Sequence, residues 1–147
     1  MKLIDNECIL YPPQYHYLWR CSFLSLIAAS YALYRGHYDL ALVPGGVFLT
    51  SINYWRKPDY SWRRTLDIVY VKSALMYQNY IALNAEYGKL YIAMMILTVC
   101  FYPVGIYFYK HEKYWHSTYA HSVLHIGGNL ANVILYSGYI VPPKEEL

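Results

Sequence analysis

The chain has 147 residues, of which 57% are hydrophobic and 14% charged, against about 25% charge in an average soluble domain. Tyrosine alone supplies 20 residues, and the net charge of +3 is spread over loops and termini. These figures exclude a disordered chain and a nucleic-acid-binding tail, argue against an ordinary soluble enzyme, and point to one membrane-embedded domain covering 1–147.

In chain order, the opening MKLIDNECILYPPQYHYLWR has no apolar stretch ahead of a small-residue cleavage site and is not expected to be a cleavable signal peptide. A first span is predicted over 20–35 and a second over 39–55. Their uncharged cores are short, but flanking aromatics and the snorkelling side chains of Arg20 and Arg35 extend them. The loop that follows carries Arg56, Lys57, Arg63 and Arg64 among two tryptophans. It suits anionic headgroups or an acidic partner, or serves only to set topology. A third span is predicted over 65–83 despite Asp67 and Lys72. The fourth, 90–109, is free of charge and long enough to cross a hydrocarbon core of about 30 Å, with Pro103 and Gly105 marking a kink. The fifth, 115–140, carries no formal charge when its histidines are neutral and runs up to Pro142-Pro143. The expected fold class is therefore all-α, a polytopic transmembrane helical bundle of about five spans.

Five spans place the N-terminus and the 55–64 and 110–114 loops on one side, with Lys2, Arg20, Arg56, Lys57, Arg63, Arg64, Lys110 and Lys113. The other side has only Arg35, Lys89 and Lys144. This bias favours an N-terminus inside and a C-terminus outside. Many tyrosines fall near the expected interfaces and read as an aromatic belt. Tyr70, Tyr77, Tyr80, Tyr102 and Tyr107 lie deeper and would need hydroxyl partners in the bundle. Cys8, Cys21 and Cys100 form no close pair, so no disulfide framework is expected.

Ionisable groups within spans are costly and require a reason. His121 and His125 are four residues apart and share a helical face, which Ser117 extends backward and Asn129, Asn132 and Tyr136 extend forward. Such a polar stripe should face the bundle interior, and Gly127-Gly128 beside it would let another helix approach. Asp67 can pair with Arg63 or Arg64 on the preceding turn, or reach a histidine on another helix. The two histidines can hydrogen-bond to neighbouring Ser, Asn or Tyr side chains, or provide two ligands to one metal. A zinc centre needs at least three protein ligands, and His16, His37, His111 and His116 fall outside the spans or at their ends.

Ser51-Ile52-Asn53-Tyr54-Trp55, then Leu66-Asp67, then His121 to His125 follow an order that resembles the CREST membrane-hydrolase superfamily, which includes alkaline ceramidases and progestin/adiponectin-type receptors. The resemblance implies a seven-span bundle with a zinc site, in which His121 and His125 are two of three ligands and Ser51 and Asp67 support the metal. Position 55, where the pattern has the remaining histidine, is Trp55, and five spans are read here instead of seven. A member of that group with these departures is expected to keep the bundle and lose the metal.

The expected function is that of a small multi-span membrane protein serving as a structural or interaction subunit of a larger membrane-associated assembly, as in a large DNA virus or an organelle. Its partners would be the lipid bilayer and other membrane or assembly proteins, with no nucleic acid and no cofactor. The alternative is a zinc-dependent membrane hydrolase of a lipid amide or ester, using Ser51 and Asp67 with zinc on His121 and His125. A proton or small-solute path along Asp67, His121, His125 and Asn129 is a third option.

Overall fold

A computed structural model describes residues 7–141, which form seven helices. They are α1 (Pro12–Cys21), α2 (Phe23–Tyr34), α3 (Tyr38–Trp55), α4 (Trp62–Ala82), α5 (Gly88–Val99), α6 (Phe101–Lys110) and α7 (Tyr114–Ser137). Lys2, Lys144 and the Pro142-Pro143 pair lie outside the described residues. No strand is present among those described, only an isolated bridge between Ala85 and Ile140.

Two joints turn the seven helices into five rods. Ser22, between α1 and α2, keeps helical dihedrals, and its hydroxyl donates back to the Leu18 carbonyl at 3.1 Å. Cys100 joins α5 to α6 with helical dihedrals as well. Pro103 lies three residues on and has no N–H for the Val99 carbonyl, which accounts for a break at this point. The rods overlap the five stretches read as spans, with shifted ends. The first begins eight residues earlier than read, because Pro12 and Pro13 occupy opening helical positions that need no backbone donor. The last ends at Ser137, before the expected 140, where Gly138 turns extended. Among the described residues, Gly88–Lys110 is the one helix long and apolar enough to cross a membrane by length and hydropathy alone. Its 23 residues span about 35 Å.

The rods alternate in direction, so their connections gather at two ends. At one end, the Ile9 amide donates to the Pro58 carbonyl at 3.0 Å, and the Tyr11 ring meets that of Tyr114 edge-on. Ile9, Leu10, Leu18, Tyr54, Trp55 and Tyr109 form a core there. At the other end, the Glu86 amide donates to the Tyr139 carbonyl at 2.9 Å and the Val141 amide to the Asn84 carbonyl at 3.2 Å. A second core of Ala32, Leu40, Ile81, Tyr91, Leu135 and Tyr136 lies beneath. Ile9 and Tyr11 thus share one end with the 56–61 and 111–113 loops.

Outside these two apolar cores, burial is inverted relative to a soluble bundle. On α2, Ser25 is 0% exposed and Ile27 61%. On α4, Asp67 is 8% exposed and Met76 74%. Leu42 and Leu49 of α3, Ile96 and Leu97 of α5, and Ile126 and Leu130 of α7 also point outward, while Thr50, Ser51, Thr98 and Asn132 point in. The deep tyrosines divide in a way the sequence did not anticipate. Tyr70 finds a partner, its hydroxyl donating to the Leu42 carbonyl at 3.0 Å. Tyr77, Tyr80, Tyr102 and Tyr107 instead lie on the outer surface, where they need no partner inside the bundle.

Candidate functional site

The polar residues buried by this inversion surround a cavity of about 380 Å³ between α3, α4, α5 and α7. Ser51 and Asp67 stand on its wall from α3 and α4, and His121, His125, Asn129 and Asn132 from α7. The stripe read from its helical spacing therefore does face inward. Most of the remaining lining is apolar, including Val43, Val47, Leu75, Met95 and Leu124.

Asp67 is held by hydroxyls, not by a basic residue. The Thr50 hydroxyl donates to Asp67 Oδ1 at 2.7 Å and that of Ser51 to the same oxygen at 2.9 Å. Thr50 is brought into reach because α3 and α4 pack closely. Gly46 lies one turn before Thr50, and a Cβ there would collide with the Tyr70 ring. Neither partner offered to Asp67 by the sequence, the arginines or a histidine, is the one it uses. Arg63 binds Asp59 at 2.7 Å instead.

On α7 the His121 and His125 rings lie 5.4 Å apart, and His121 packs edge-on against Trp55 at 4.8 Å. Asn129 donates to Ser25 of α2 at 3.1 Å and to the His125 carbonyl at 2.7 Å. His125 Nε2, Asn132 Oδ1 and Trp55 Nε1 are buried without a hydrogen-bond partner among the described residues, an arrangement proteins rarely leave uncompensated. Below the cavity, the Gln78 amide donates to the Tyr136 hydroxyl, and the Tyr91 hydroxyl donates to Gln78 Oε1 at 3.3 Å. Tyr91 and Thr98 were missed by sequence reading, since both belong to the charge-free fourth span with nothing to distinguish them. Gly127 is a close-approach point: a Cβ there would strike Thr98 of α5.

Tested as a zinc centre, the set falls short. Trp55 occupies the position where the resemblance puts a third ligand, and its indole packs against His121 without offering a lone pair. Among the described residues no group of three or more His, Cys, Asp and Glu side chains could hold a metal ion. Of the other histidines, His16 stacks beside Tyr15, and His111 and His116 beside Tyr107 and Phe108, at the end of the bundle where the N-terminal segment lies.

The basic loop is largely satisfied within the chain. Lys57 Nζ meets Glu7 Oε2 at 2.5 Å, and this ammonium holds the Glu7 carboxyl below its ordinary value. Arg63 also donates to the Lys57 carbonyl at 3.0 Å, and Arg64 lies over the Tyr60 ring at 5.4 Å. Burial alone would push the Asp59 carboxyl up, but hydrogen bonds from Ser61 and the guanidinium of Arg63 outweigh it and hold that carboxyl low. Arg56 is exposed and has no such partner among the described residues.

Compared with protein-family models, with curated proteins and with solved structures, the chain matches none of them.

Proposed function

We propose that the chain crosses a membrane five times, N-terminus inside and C-terminus outside, and acts as a structural or interaction subunit of a larger membrane-associated assembly, of the kind built by large DNA viruses or organelles. The observation that carries this reading is the inverted burial. Every rod turns leucine, isoleucine, methionine or tyrosine outward and buries at least one polar side chain, among them Ser25, Ser51, Asp67, Thr98 and Asn132. In water so many exposed large apolar side chains are unfavourable, whereas in lipid they are the favourable arrangement and the interior polar groups join the helices. The rods other than Gly88–Lys110 carry charges or a polar face that lower their hydropathy. On α4 and α7, Asp67, Gln78, His125 and Asn132 are turned inside, while Lys72 stays exposed on α4. The connections are only a few residues long, so contact with partners falls to the helices and their aromatic faces. Membrane integration is tested by alkaline carbonate extraction of the expressed chain. Retention in the pellet is expected, and release into the supernatant would refute it.

A second reading, a membrane hydrolase of a lipid amide or ester, has one observation in its favour: Ser51, Asp67, His121 and His125 line a single cavity. Trp55 stands against it. Metal content separates the two. Purified chain without bound zinc supports the subunit, while about one zinc per chain, lost in both His121→Ala and His125→Ala, would favour the hydrolase.

A further inference from the structure

A shallow groove at the end of the bundle where the N-terminal segment lies is formed by Pro13, His16, Tyr17 and Arg20 of α1 with Trp115 of α7. We propose that it binds the phosphate of an anionic glycerophospholipid, an inference that rests on the membrane reading above.

Three observations converge. Arg20 has no ion pair or hydrogen bond among the described residues, unlike Lys57, Arg63 and Arg64, whose charges are engaged within the chain. The cations of the 56–64 loop are thus mostly committed, and Arg20 is not. Second, α1 and α7 run side by side in the same direction, with Tyr11 against Tyr114 and Tyr17 against Tyr119. Arg20 therefore starts about one turn deeper than Tyr119, yet its side chain shares a groove with Trp115, the second residue of α7. Sharing that groove requires its stem to reach toward the end of the bundle, as a snorkelling arginine does when its charge seeks the headgroup layer. Helical side chains lean toward the N-terminus, which for α1 is that same end. Third, His16 precedes Arg20 by one turn on the same face and supplies a ring N–H in either tautomer.

The chemistry selects the occupant. A guanidinium and an imidazole N–H present donors to phosphate oxygens and, among the described residues, no carboxylate lines the groove, so a phosphate fits and a cation does not. The aromatic shelf of Tyr17, Trp115 and Tyr119, with Trp115 and Tyr119 centroids 5.6 Å apart, begins beside the groove and continues along the outer face. It offers an apolar path for an acyl chain, which a free phosphate would not use.

The test is native mass spectrometry of the full chain in mild detergent, titrated with phosphatidylglycerol or with phosphatidylcholine. Preferential retention of one phosphatidylglycerol per chain is expected. Arg20→Gln should weaken it about fivefold, the contribution of one cation near an anionic surface. Lys113→Gln, at the same end but outside the groove, should leave it unchanged. Equal weakening by both variants, or none by Arg20→Gln, would overturn the site. So would inorganic phosphate competing as well as the lipid does. Carbonate extraction keeps the failures apart: release of the chain refutes the membrane reading and the site with it. Retention with lipid binding indifferent to Arg20 refutes the site alone.

Discussion

Adjacent glycines on α7 provide an internal control for the helix packing that shapes the cavity. A Cβ on Gly128 would meet nothing within 4 Å, whereas one on Gly127 would overlap the Thr98 hydroxyl and lie 3.1 Å from its methyl carbon. Replacing a helical glycine by alanine removes backbone freedom from the unfolded chain and is worth about 1 kcal/mol. Gly128→Ala should realise that gain. Gly127→Ala receives the same benefit but must displace Thr98, a buried β-branched side chain with few rotamers to move into, and overpacking of that kind costs about 1–3 kcal/mol. The two variants should differ by that overpacking cost, with Gly128→Ala at or above the parent and Gly127→Ala below Gly128→Ala. At roughly 2–4 °C per kcal/mol for a chain of this size, thermal unfolding followed by circular dichroism in detergent resolves the gap. Thr98→Ala should recover much of the loss in the Gly127→Ala background. Equal midpoints for the two glycine variants, or a lower one for Gly128→Ala, would refute the stated packing of α5 on α7.

Other substitutions probe the site and its end. Trp55→His would place a third imidazole beside His121 and His125, and purified variant is expected to bind about one zinc per chain. Absence of zinc would show that position 55 is not aligned with the other two ligands. Asp67→Leu strips the Thr50 and Ser51 hydroxyls of their shared acceptor and should cost about 2–4 kcal/mol, while Asp67→Asn, which keeps an acceptor oxygen, should cost under about 1 kcal/mol; similar midpoints for the two would count against this network. The depressed Asp59 carboxyl stabilises the fold above its unfolded value, about pH 4, and the contribution disappears as pH falls through the lower folded value. Asp59→Asn should therefore unfold below the parent at pH 7, by about 1 kcal/mol or less, and match it near pH 2. A constant gap across that range would contradict the sign.

The helical rods were legible because long uncharged runs leave few alternatives, and the α7 stripe because steps of three and four residues return to one face. That spacing puts His121, His125, Asn129 and Asn132 on one side of the helix, and the structure sets that side against the cavity. The partners of Asp67 were not legible. Arg63 is four residues away on the same helix, and local spacing could not show that Asp59 would claim it first or that Gly46 would let α4 settle against Thr50 and Ser51. Tyrosine was the least readable residue. Tyr91 and Tyr136 are wholly buried while Tyr77 and Tyr80 face out, because the same side chain serves a packed core, a hydrogen-bonded interior and a lipid interface. The helix α1 was hidden by Pro12-Pro13, which reads as a breaker but here starts a helix. Trp55 gained definition from the structure. It is a buried ring packed on His121 at one end of the polar stripe.

The central claim is a bundle that crosses the membrane five times with its polar side inward. Single cysteines at His111 and at Asn84, in a chain whose Cys8, Cys21 and Cys100 have been replaced, occupy exposed connections at opposite ends. With an impermeant maleimide applied to spheroplasts of bacteria that carry the chain in their inner membrane, Asn84→Cys should label at once and His111→Cys only after the membrane is permeabilised. Labelling of both positions before permeabilisation, or of neither, would contradict the account.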